Sequence, residues 1–207
     1  MNNGDNALIC IDIQNDFCPN GALAVANGDE VIDPVNEMIR DAVTTGAPVI
    51  LTQDWHPKAH ASFASNHDGA KAFDMCKMPY GDQVLWPDHC VQGSFGAAFH
   101  DRLASDSADL IIRKGFRVEI DSYSAFYEND RTTPTGLHGY LQSRGVATLC
   151  LAGLATDYCV AYSALDAARL GYQVAVMLRA CRAIDLDGSL ATQLEAMQKA
   201  GIALIEG

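Results

Sequence analysis

The stretch Thr148–Leu170, TLCLAGLATDYCVAYSALDAARL, decides how the rest of the chain is interpreted. It begins with a short apolar run at Thr148–Ala152, turns through GLATD, and continues in a helical pattern that Gly171 closes. The pattern predicts a strand, a tight turn and a helix. Cys159 falls in the first helical turn, where unpaired backbone N–H groups and the helix dipole favour a negative charge. A thiol placed there is biased toward the reactive thiolate, although a lone cysteine is more often a small buried apolar residue.

Composition places the chain among ordinary globular proteins. Its 207 residues, 49% of them hydrophobic, are enough for a sizeable core, and we expect a single domain over residues 1–207. The net charge is −12 and no basic cluster occurs, which argues against nucleic acid and anionic membranes as partners. No apolar run approaches the ~20 residues of a membrane span, and the N-terminus lacks the basic region of a signal peptide. Seven cysteines without a C-x-x-C pair argue against a disulfide framework and favour the reducing cytoplasm.

Short apolar runs alternate with helical patterns along most of the chain. Strands are predicted at Leu8–Ile13, Pro48–Thr52, Leu110–Arg113, Thr148–Ala152, Gln173–Leu178 and Ile202–Ile205. Helices are predicted at Val35–Val43, Ala97–Ala104, Gly136–Arg144, Tyr158–Leu170 and Asp187–Ala200. The segments Gln53–Gly96 and Arg117–Thr135 are rich in turn residues and carry no predicted regular structure. This alternation predicts an α/β fold, a three-layer α/β/α sandwich around a mostly parallel six-stranded sheet.

The residues with the most chemical potential follow the carboxyl ends of the predicted strands. Asp12 closes the first strand, Asp54 and His56 follow the second, Lys114 follows the third, and Cys159 follows the fourth. Open α/β sheets place their sites beyond the carboxyl ends of the strands. We therefore expect these side chains to meet in one crevice, and their shared position is stronger evidence than any one of them alone.

Asp54 and His56 form a D-x-H pair that suits a metal ion. Residues two apart in an extended segment point to the same side, so both side chains can reach one cation. A carboxylate and imidazoles suit Zn²⁺, Fe²⁺ or Mn²⁺. The alternative is a surface polar pair, and spacing alone does not decide whether His89 is a third ligand. Solvent exposure or a capping role is expected for the remaining loop histidines, His67, His100 and His138.

Asp12, Lys114 and Cys159 together have the chemistry that amide hydrolysis requires. Attack on an amide needs a nucleophile, a proton carrier and a way to stabilise the charge of the nucleophile. A thiolate supplies the first, a partly buried carboxylate can carry the proton, and a neighbouring ammonium stabilises both anions. Taken alone, each residue is more often a strand end, a solvated charge or a buried small side chain. Their common position favours a Cys-Asp-Lys triad without a histidine base.

Several motifs in order carry a family resemblance over nearly all of the chain. They are IDIQNDF at 11–17, TQDWHP at 52–57 continuing to HASF at 60–63, WPDHCVQG at 86–93, KG at 114–115, DSYSAF at 121–126 and GLATDYCV at 153–160. With these motifs the chain resembles the nicotinamidases (pyrazinamidases), within the isochorismatase-like cysteine hydrolases. The last motif, with the W-P-x-H-C piece, separates nicotinamidases from their relatives.

The resemblance implies a role for each motif residue. Cys159 would be the nucleophile, Asp12 the proton shuttle and Lys114 their electrostatic partner. The N–H groups of Ala155 and Cys159 would bind the developing oxyanion, next to a Leu154–Ala155 peptide bond that the family leads us to expect in the cis form. The implied ligands of a divalent metal are Asp54, His56 and His89, and the implied aromatic walls of the ring pocket are Phe17, Trp86 and Tyr123.

The resemblance also implies the reaction and its setting. Nicotinamide and water would give nicotinate and ammonia through a thioester intermediate, in NAD salvage, and pyrazinamide would give pyrazinoate in the same way. One divalent metal, with zinc expected first and iron or manganese as alternatives, would hold the pyridine nitrogen. We expect a cytoplasmic hydrolase with a small-molecule substrate, without nucleic-acid or membrane partners, and a homo-oligomer by family habit. Metal identity, substrate preference and assembly stay open at this point.

Three other functions also remain open. A metal-free amidohydrolase of the N-carbamoylsarcosine type would share the triad but would not need the Asp54, His56 and His89 set. An isochorismatase-type vinyl-ether hydrolase lacks the nucleophilic cysteine, and a catalytically silent binding protein has no use for a complete triad. Within the nicotinamidases, members differ in a further residue near the metal, and here His60 and Ser62 both qualify.

Overall fold

The fold is a parallel sheet with helices packed against it. The computed structural model describes residues 5–206. Its strands in chain order are β1 (Asn6–Ile11), β2 (Val49–Asp54), β3 (Met75–Met78), β4 (Gly81–Val84), β5 (Leu110–Lys114), β6 (Thr148–Leu154), β7 (Gln173–Arg182) and β8 (Ala203–Ile205). Within the described residues, six of them form one sheet in the order β5-β2-β1-β6-β7-β8, and every neighbouring pair is parallel. The predicted six-stranded α/β fold is confirmed.

The helices cover both faces of this sheet. They are α1 (Ile32–Thr45), α2 (Leu137–Ser143), α3 (Ala161–Arg169) and α4 (Ser189–Lys199). Strand order runs in one direction from β1 to β5 and in the other from β6 to β8. Because parallel crossovers are right-handed, α1 lies on one face and α2, α3 and α4 on the other. Accordingly, α1 packs against β1 and β2, whereas α3 packs against α4 and β7.

The sheet centre is shielded from water. Every residue of β2 is buried, and so is β1 from Ala7 onward. This continuous burial is typical of parallel strands that are covered on both faces. Polar residues at the carboxyl ends of these strands therefore enter a protected region. Within residues 5–206, no helix is long and apolar enough to cross a membrane.

The short helix predicted at Ala97–Ala104 is wrong. This segment is a series of turns, although its residues suit a helix. The carbonyl of Ala97 accepts hydrogen bonds from the side-chain amides of Gln14, at 2.8 Å, and Gln53, at 2.9 Å. Since these distant amides satisfy the carbonyl, tertiary contacts replace the bonds that a helix would supply.

The sequence prediction also misses a hairpin, in which β3 and β4 pair antiparallel. The hairpin is outside the large sheet and is mostly exposed, with Gln83 as its buried side chain. Lys77 and Asp82 form an ion pair of 2.7 Å on its solvent side. A strand pair of this composition lacks the apolar alternation on which strand prediction depends.

Gly153 allows β6 to lie close to β1. It pairs with Ile11, and its φ of +126° is a conformation that residues with a side chain rarely adopt. A Cβ atom at this position would lie 2.1 Å from the carbonyl oxygen of Ile11. The strand that leads to Cys159 thus depends on a residue without a side chain.

We expect Gly153→Ala to lower the free energy of unfolding by about 2–4 kcal/mol, since overpacking and an unfavourable φ add. Urea unfolding followed by circular dichroism measures this loss. Gly139→Ala is the matched control: Gly139 is exposed in α2, its φ is not positive, and an added Cβ meets no atom within 4 Å. We expect the control to be neutral or slightly stabilising, because alanine favours helix. Equal effects of the two substitutions would contradict the close-approach explanation.

Candidate active site

Four strand ends converge as the sequence predicts. Asp12 follows β1, Asp54 ends β2, Lys114 ends β5, and Cys159 lies in the turn after β6. These are adjacent strands in the sheet, so their carboxyl ends form one crevice. Asp12 has a left-handed backbone with a φ of 47°, which ends β1 two residues earlier than predicted and turns the chain at the crevice.

Lys114 is at the centre of this group and is completely buried. Its ammonium lies 2.8 Å from Oδ2 of Asp12, contacts Oδ1 of Asp54, and lies 3.4 Å from Sγ of Cys159. It also donates a hydrogen bond of 2.9 Å to the carbonyl of Ser122. One cation therefore touches both buried carboxylates and the thiol. The structure brings the predicted Asp12, Lys114 and Cys159 into direct contact.

Burial and the lysine set the protonation of the two carboxylates. Burial raises the pKa of Asp12 to about 6, although Lys114 and a hydrogen bond from Thr52 oppose the increase. The Thr52 hydroxyl donates to Oδ1 of Asp12 at 2.5 Å. The pKa of Asp54 is lowered: burial opposes its ionisation, but Lys114, His56 and His89 stabilise the anion more strongly. Despite burial, the two carboxylates hold the pKa of Lys114 well above its usual value.

The thiol of Cys159 does not follow the expectation from its position at a helix start. Burial raises its pKa well above the usual value, Asp12 and Asp54 add to the increase, and Lys114 only opposes it. The predicted bias toward thiolate in the resting protein is therefore wrong. A buried thiol beside two carboxylates remains protonated, so attack requires transfer of its proton to a base.

The turn that carries Cys159 is one turn of π-helix, Thr156–Val160, followed by α3. The preceding Leu154–Ala155 peptide bond is cis, as the family resemblance leads us to expect. The carbonyl of Ala155 accepts hydrogen bonds from the N–H groups of Tyr158 and Val160, both at 3.1 Å. Cys159 thus lies in a wide helical turn that is stabilised by backbone hydrogen bonds to Ala155.

Asp54, His56 and His89 form a buried cluster with the geometry of a metal site. One ligand atom from each residue lies within 4.8 Å of the others. Nε2 of His56 lies 3.6 Å from Oδ2 of Asp54, and Nε2 of His89 lies 3.9 Å from the same oxygen. Nδ1 of His56 bonds to the carbonyl of Gly115 at 2.8 Å, and Nδ1 of His89 bonds to that of Pro87 at 2.9 Å. A carbonyl can only accept, so each Nδ1 carries a proton, and Nε2 is the ring nitrogen that faces the carboxylate and that could ligate a cation. The donor set therefore fits a divalent cation.

His60 and Ser62 lie beside this cluster and bond to each other. Nδ1 of His60 is 2.7 Å from Oγ of Ser62, and its Nε2 is 3.3 Å from the carbonyl of Ile120. The His60 ring packs on the His56 ring with centroids 4.4 Å apart. Burial, followed by repulsion from His56, lowers the pKa of His60. Both ring nitrogens of His60 thus have partners other than the Asp54 carboxylate.

An aromatic pocket is lined by the thiol of Cys159 and by His89. Phe17, Trp86 and Tyr123 all line it, together with Cys159 and His89. The indole N–H of Trp86 donates to the Tyr123 hydroxyl at 3.0 Å. Phe17 meets the ring of His89 edge to face at a centroid distance of 5.6 Å. The three aromatic residues named from the sequence therefore share one pocket with the thiol and with one of the cluster histidines, as a flat ring ligand would require.

Sequence reasoning missed several residues that build this pocket. Asp157 accepts hydrogen bonds from the N–H groups of Ile184, at 3.0 Å, and Asp185, at 2.8 Å, and it thereby holds Ile184 in the pocket wall. Gln83 of the hairpin donates to the Tyr123 hydroxyl at 2.9 Å and to Asp121 at 2.7 Å. Asp157 stands two residues before Cys159 in the GLATDYCV motif, and this proximity is a sequence signal that could have identified it. Gln83 lies in no such motif, so the sequence carries no signal for it.

Comparison with known proteins agrees with this geometry. The isochorismatase domain family matches residues 6–207. The nicotinamidase of Acinetobacter baylyi is 50% identical over 196 residues, which cover 95% of this chain and 90% of that protein. A solved nicotinamidase/pyrazinamidase of Acinetobacter baumanii superposes with a TM-score of 0.95 at 49% identity, over 98% of this chain and 96% of that one.

A third relative is a pyrazinamidase of Pyrococcus horikoshii, solved in complex with zinc. It has a TM-score of 0.79 and 35% identity, and the match covers 98% of this chain and 99% of that one. The family match spans nearly the whole chain, and the three relatives are named nicotinamidase, pyrazinamidase or both. The chain belongs to the isochorismatase family, within its nicotinamidase/pyrazinamidase group.

Proposed function

We propose that this protein is a nicotinamidase, an amidohydrolase that converts nicotinamide and water to nicotinate and ammonia and that also accepts pyrazinamide. The observation that carries this proposal is the buried contact of Lys114 with Asp12, Asp54 and Cys159 beside an aromatic pocket. Relatives up to 50% identical that bear the name nicotinamidase support it. The product nicotinate would enter NAD salvage.

Asp12 serves as the general base and then as the general acid. The thiol proton of Cys159 moves to the Asp12 carboxylate while Sγ attacks the carboxamide carbon. A carboxylate whose pKa is about 6 is ionised at neutral pH yet basic enough to take a proton. The negative charge moves to the carbonyl oxygen, where the N–H groups of Ala155 and Cys159 bind it. Lys114 remains charged throughout and stabilises whichever neighbour is anionic.

Collapse of the tetrahedral intermediate breaks the carbon–nitrogen bond. The protonated Asp12 gives its proton to the departing nitrogen, so that ammonia leaves and a thioester on Cys159 remains. A water molecule then attacks the thioester carbon and gives a proton to Asp12. Cleavage of the carbon–sulfur bond gives nicotinic acid, and the sulfur takes the proton back from Asp12. The acid releases its own proton to water and leaves as nicotinate. The side chains end in their starting state, as a catalytic cycle requires.

Asp54, His56 and His89 would hold one divalent metal ion, and zinc is our proposal for its identity. A zinc-bound pyrazinamidase relative and the three-residue donor set support this assignment. When bound, the ion supplies a Lewis-acidic position that holds the pyridine nitrogen, directly or through its waters. Phe17, Trp86 and Tyr123 would enclose the ring and exclude water from the thiol. The pocket thus orients the carboxamide toward Cys159.

We further propose that residues 1–207 form one hydrolase domain that works in the cytoplasm as a homo-oligomer. The family match over residues 6–207 supports the single domain. Seven free cysteines are typical of a protein from a reducing compartment. The assembly is proposed from the resemblance to the family.

Purified wild-type protein should release ammonia from nicotinamide, and Cys159→Ala should lower kcat at least 10³-fold because no nucleophile remains. Cys76→Ala is the control, since Cys76 is a half-buried free cysteine on the β3–β4 hairpin. An ammonia-coupled assay on the three proteins gives the result. Hydrolysis that survives in Cys159→Ala would exclude the proposed nucleophile.

Lys114→Met should abolish activity and lower the free energy of unfolding by about 3–5 kcal/mol, because it leaves two buried carboxylates without their cation. Urea unfolding at pH 7 in the presence of a chelator measures this loss without a metal contribution. Lys77→Met, which removes a solvent-exposed ion pair with Asp82, should leave the unfolding midpoint unchanged. A stable and active Lys114→Met protein would show that the buried ion pairs are dispensable.

Metal removal should lower nicotinamide hydrolysis at least tenfold, and added zinc should restore it. Benzamide, which lacks the ring nitrogen, should be a poor substrate of the metal-loaded protein, and chelation should reduce the preference for nicotinamide. His89→Ala should behave like the chelated protein, whereas His100→Ala should behave like wild type, since His100 lies outside the cluster. Full activity after complete metal removal would favour the metal-free amidohydrolase class instead.

A further inference from the structure

Gln14 is a completely buried glutamine whose amide bonds to the backbone of Asp54. Its Nε2 donates hydrogen bonds to the carbonyl of Asp54, at 2.9 Å, and to that of Ala97, at 2.8 Å. Its Oε1 accepts the N–H of Asp54 at 2.8 Å. Both amide hydrogens and one oxygen lone pair are therefore used. The backbone N–H and C=O of Asp54 are satisfied by this one side chain.

The need for this amide comes from the way β1 ends. β1 and β2 pair as far as Cys10 and Leu51, after which Asp12 turns the chain away. On its other side Asp54 pairs with Lys114 of β5. Gln14 presents a donor and an acceptor in peptide-like geometry, so it takes the place of the missing strand. Unpaired, each buried backbone group of Asp54 would lose its hydrogen bond without gaining one from water.

The position of Asp54 matters because its carboxylate has two sets of partners. Oδ1 contacts the ammonium of Lys114, and Oδ2 faces Nε2 of His56 at 3.6 Å and of His89 at 3.9 Å. A backbone shift of Asp54 would therefore disturb the metal cluster and the buried ion pairs together. The Gln14 side chain fixes this backbone because it bonds to both the N–H and the carbonyl of Asp54.

We propose that Gln14 is a positioning residue for the metal site: its amide holds Asp54 so that the carboxylate meets His56 and His89 at ligand spacing. This inference rests on the metal site proposed above. Gln14 itself bonds to backbone, not to the cluster atoms. Loss of an outer partner that orients a metal ligand typically weakens metal binding 10–100-fold.

Two variants of Gln14 and one matched control test the inference. Gln14→Leu removes every bond to Asp54, and Gln14→Glu keeps an acceptor but loses the donated bonds. Gln53→Leu is the control because the Gln53 amide donates to the same Ala97 carbonyl, at 2.9 Å, and to no atom of Asp54. Competition with a chromogenic chelator measures the zinc dissociation constant of each folded protein. We expect a 10–100-fold increase for both Gln14 variants and less than threefold for Gln53→Leu.

Urea unfolding of the metal-free proteins separates metal affinity from stability. If Gln14→Leu does not fold, Gln14→Glu carries the test, since it preserves the size and shape of the side chain. Unchanged zinc affinity in the folded Gln14 variants, or an equal loss in Gln53→Leu, would overturn the inference. Wild-type protein that bound no zinc would instead remove the metal site of the proposed function, so the two failures are distinguishable.

Discussion

The buried ammonium of Lys114 is the interaction on which the rest of the site depends. A completely buried lysine without partners would lose its charge, because burial disfavours the ionised form. Two carboxylates, from Asp12 and Asp54, and the carbonyl of Ser122 surround it instead. Removal of the cation would leave two desolvated anions, and removal of either anion would leave a less compensated cation. The three groups are therefore stable only together.

The parallel sheet makes this group possible. Asp12, Asp54, Lys114 and Cys159 come from the ends of four adjacent strands, which are paired with one another in parallel. Rigid strands position side chains more accurately than loops can. The approach of β6 to β1 at Gly153 belongs to the same arrangement, because it sets how near the turn of Cys159 lies to Asp12.

The sequence predicted which polar residues share the crevice but missed most of the residues that hold them. The reactive residues follow apolar strands, and the rule that sites lie at carboxyl ends converts that order into a common location. Gln14, Gln83 and Asp157 act through backbone or side-chain groups 27 to 83 positions away. Such contacts leave no periodic pattern in the chain. The false helix at Ala97–Ala104 has the same origin, since distant amides use a carbonyl that local propensity assigns to a helix.

The two carboxylates that share Lys114 differ in their other surroundings. Asp54 has both Lys114 and two imidazoles nearby, so its pKa is lowered and it stays anionic, which suits the metal-ligand role proposed for it. Asp12 has the same lysine but is more strongly governed by burial, which raises its pKa to about 6. Two similar side chains with different surroundings are thereby suited to different work, one to hold charge and one to exchange a proton. The thiol of Cys159 completes this division: because its pKa is raised, the resting sulfur keeps the proton that the proposed reaction transfers to Asp12.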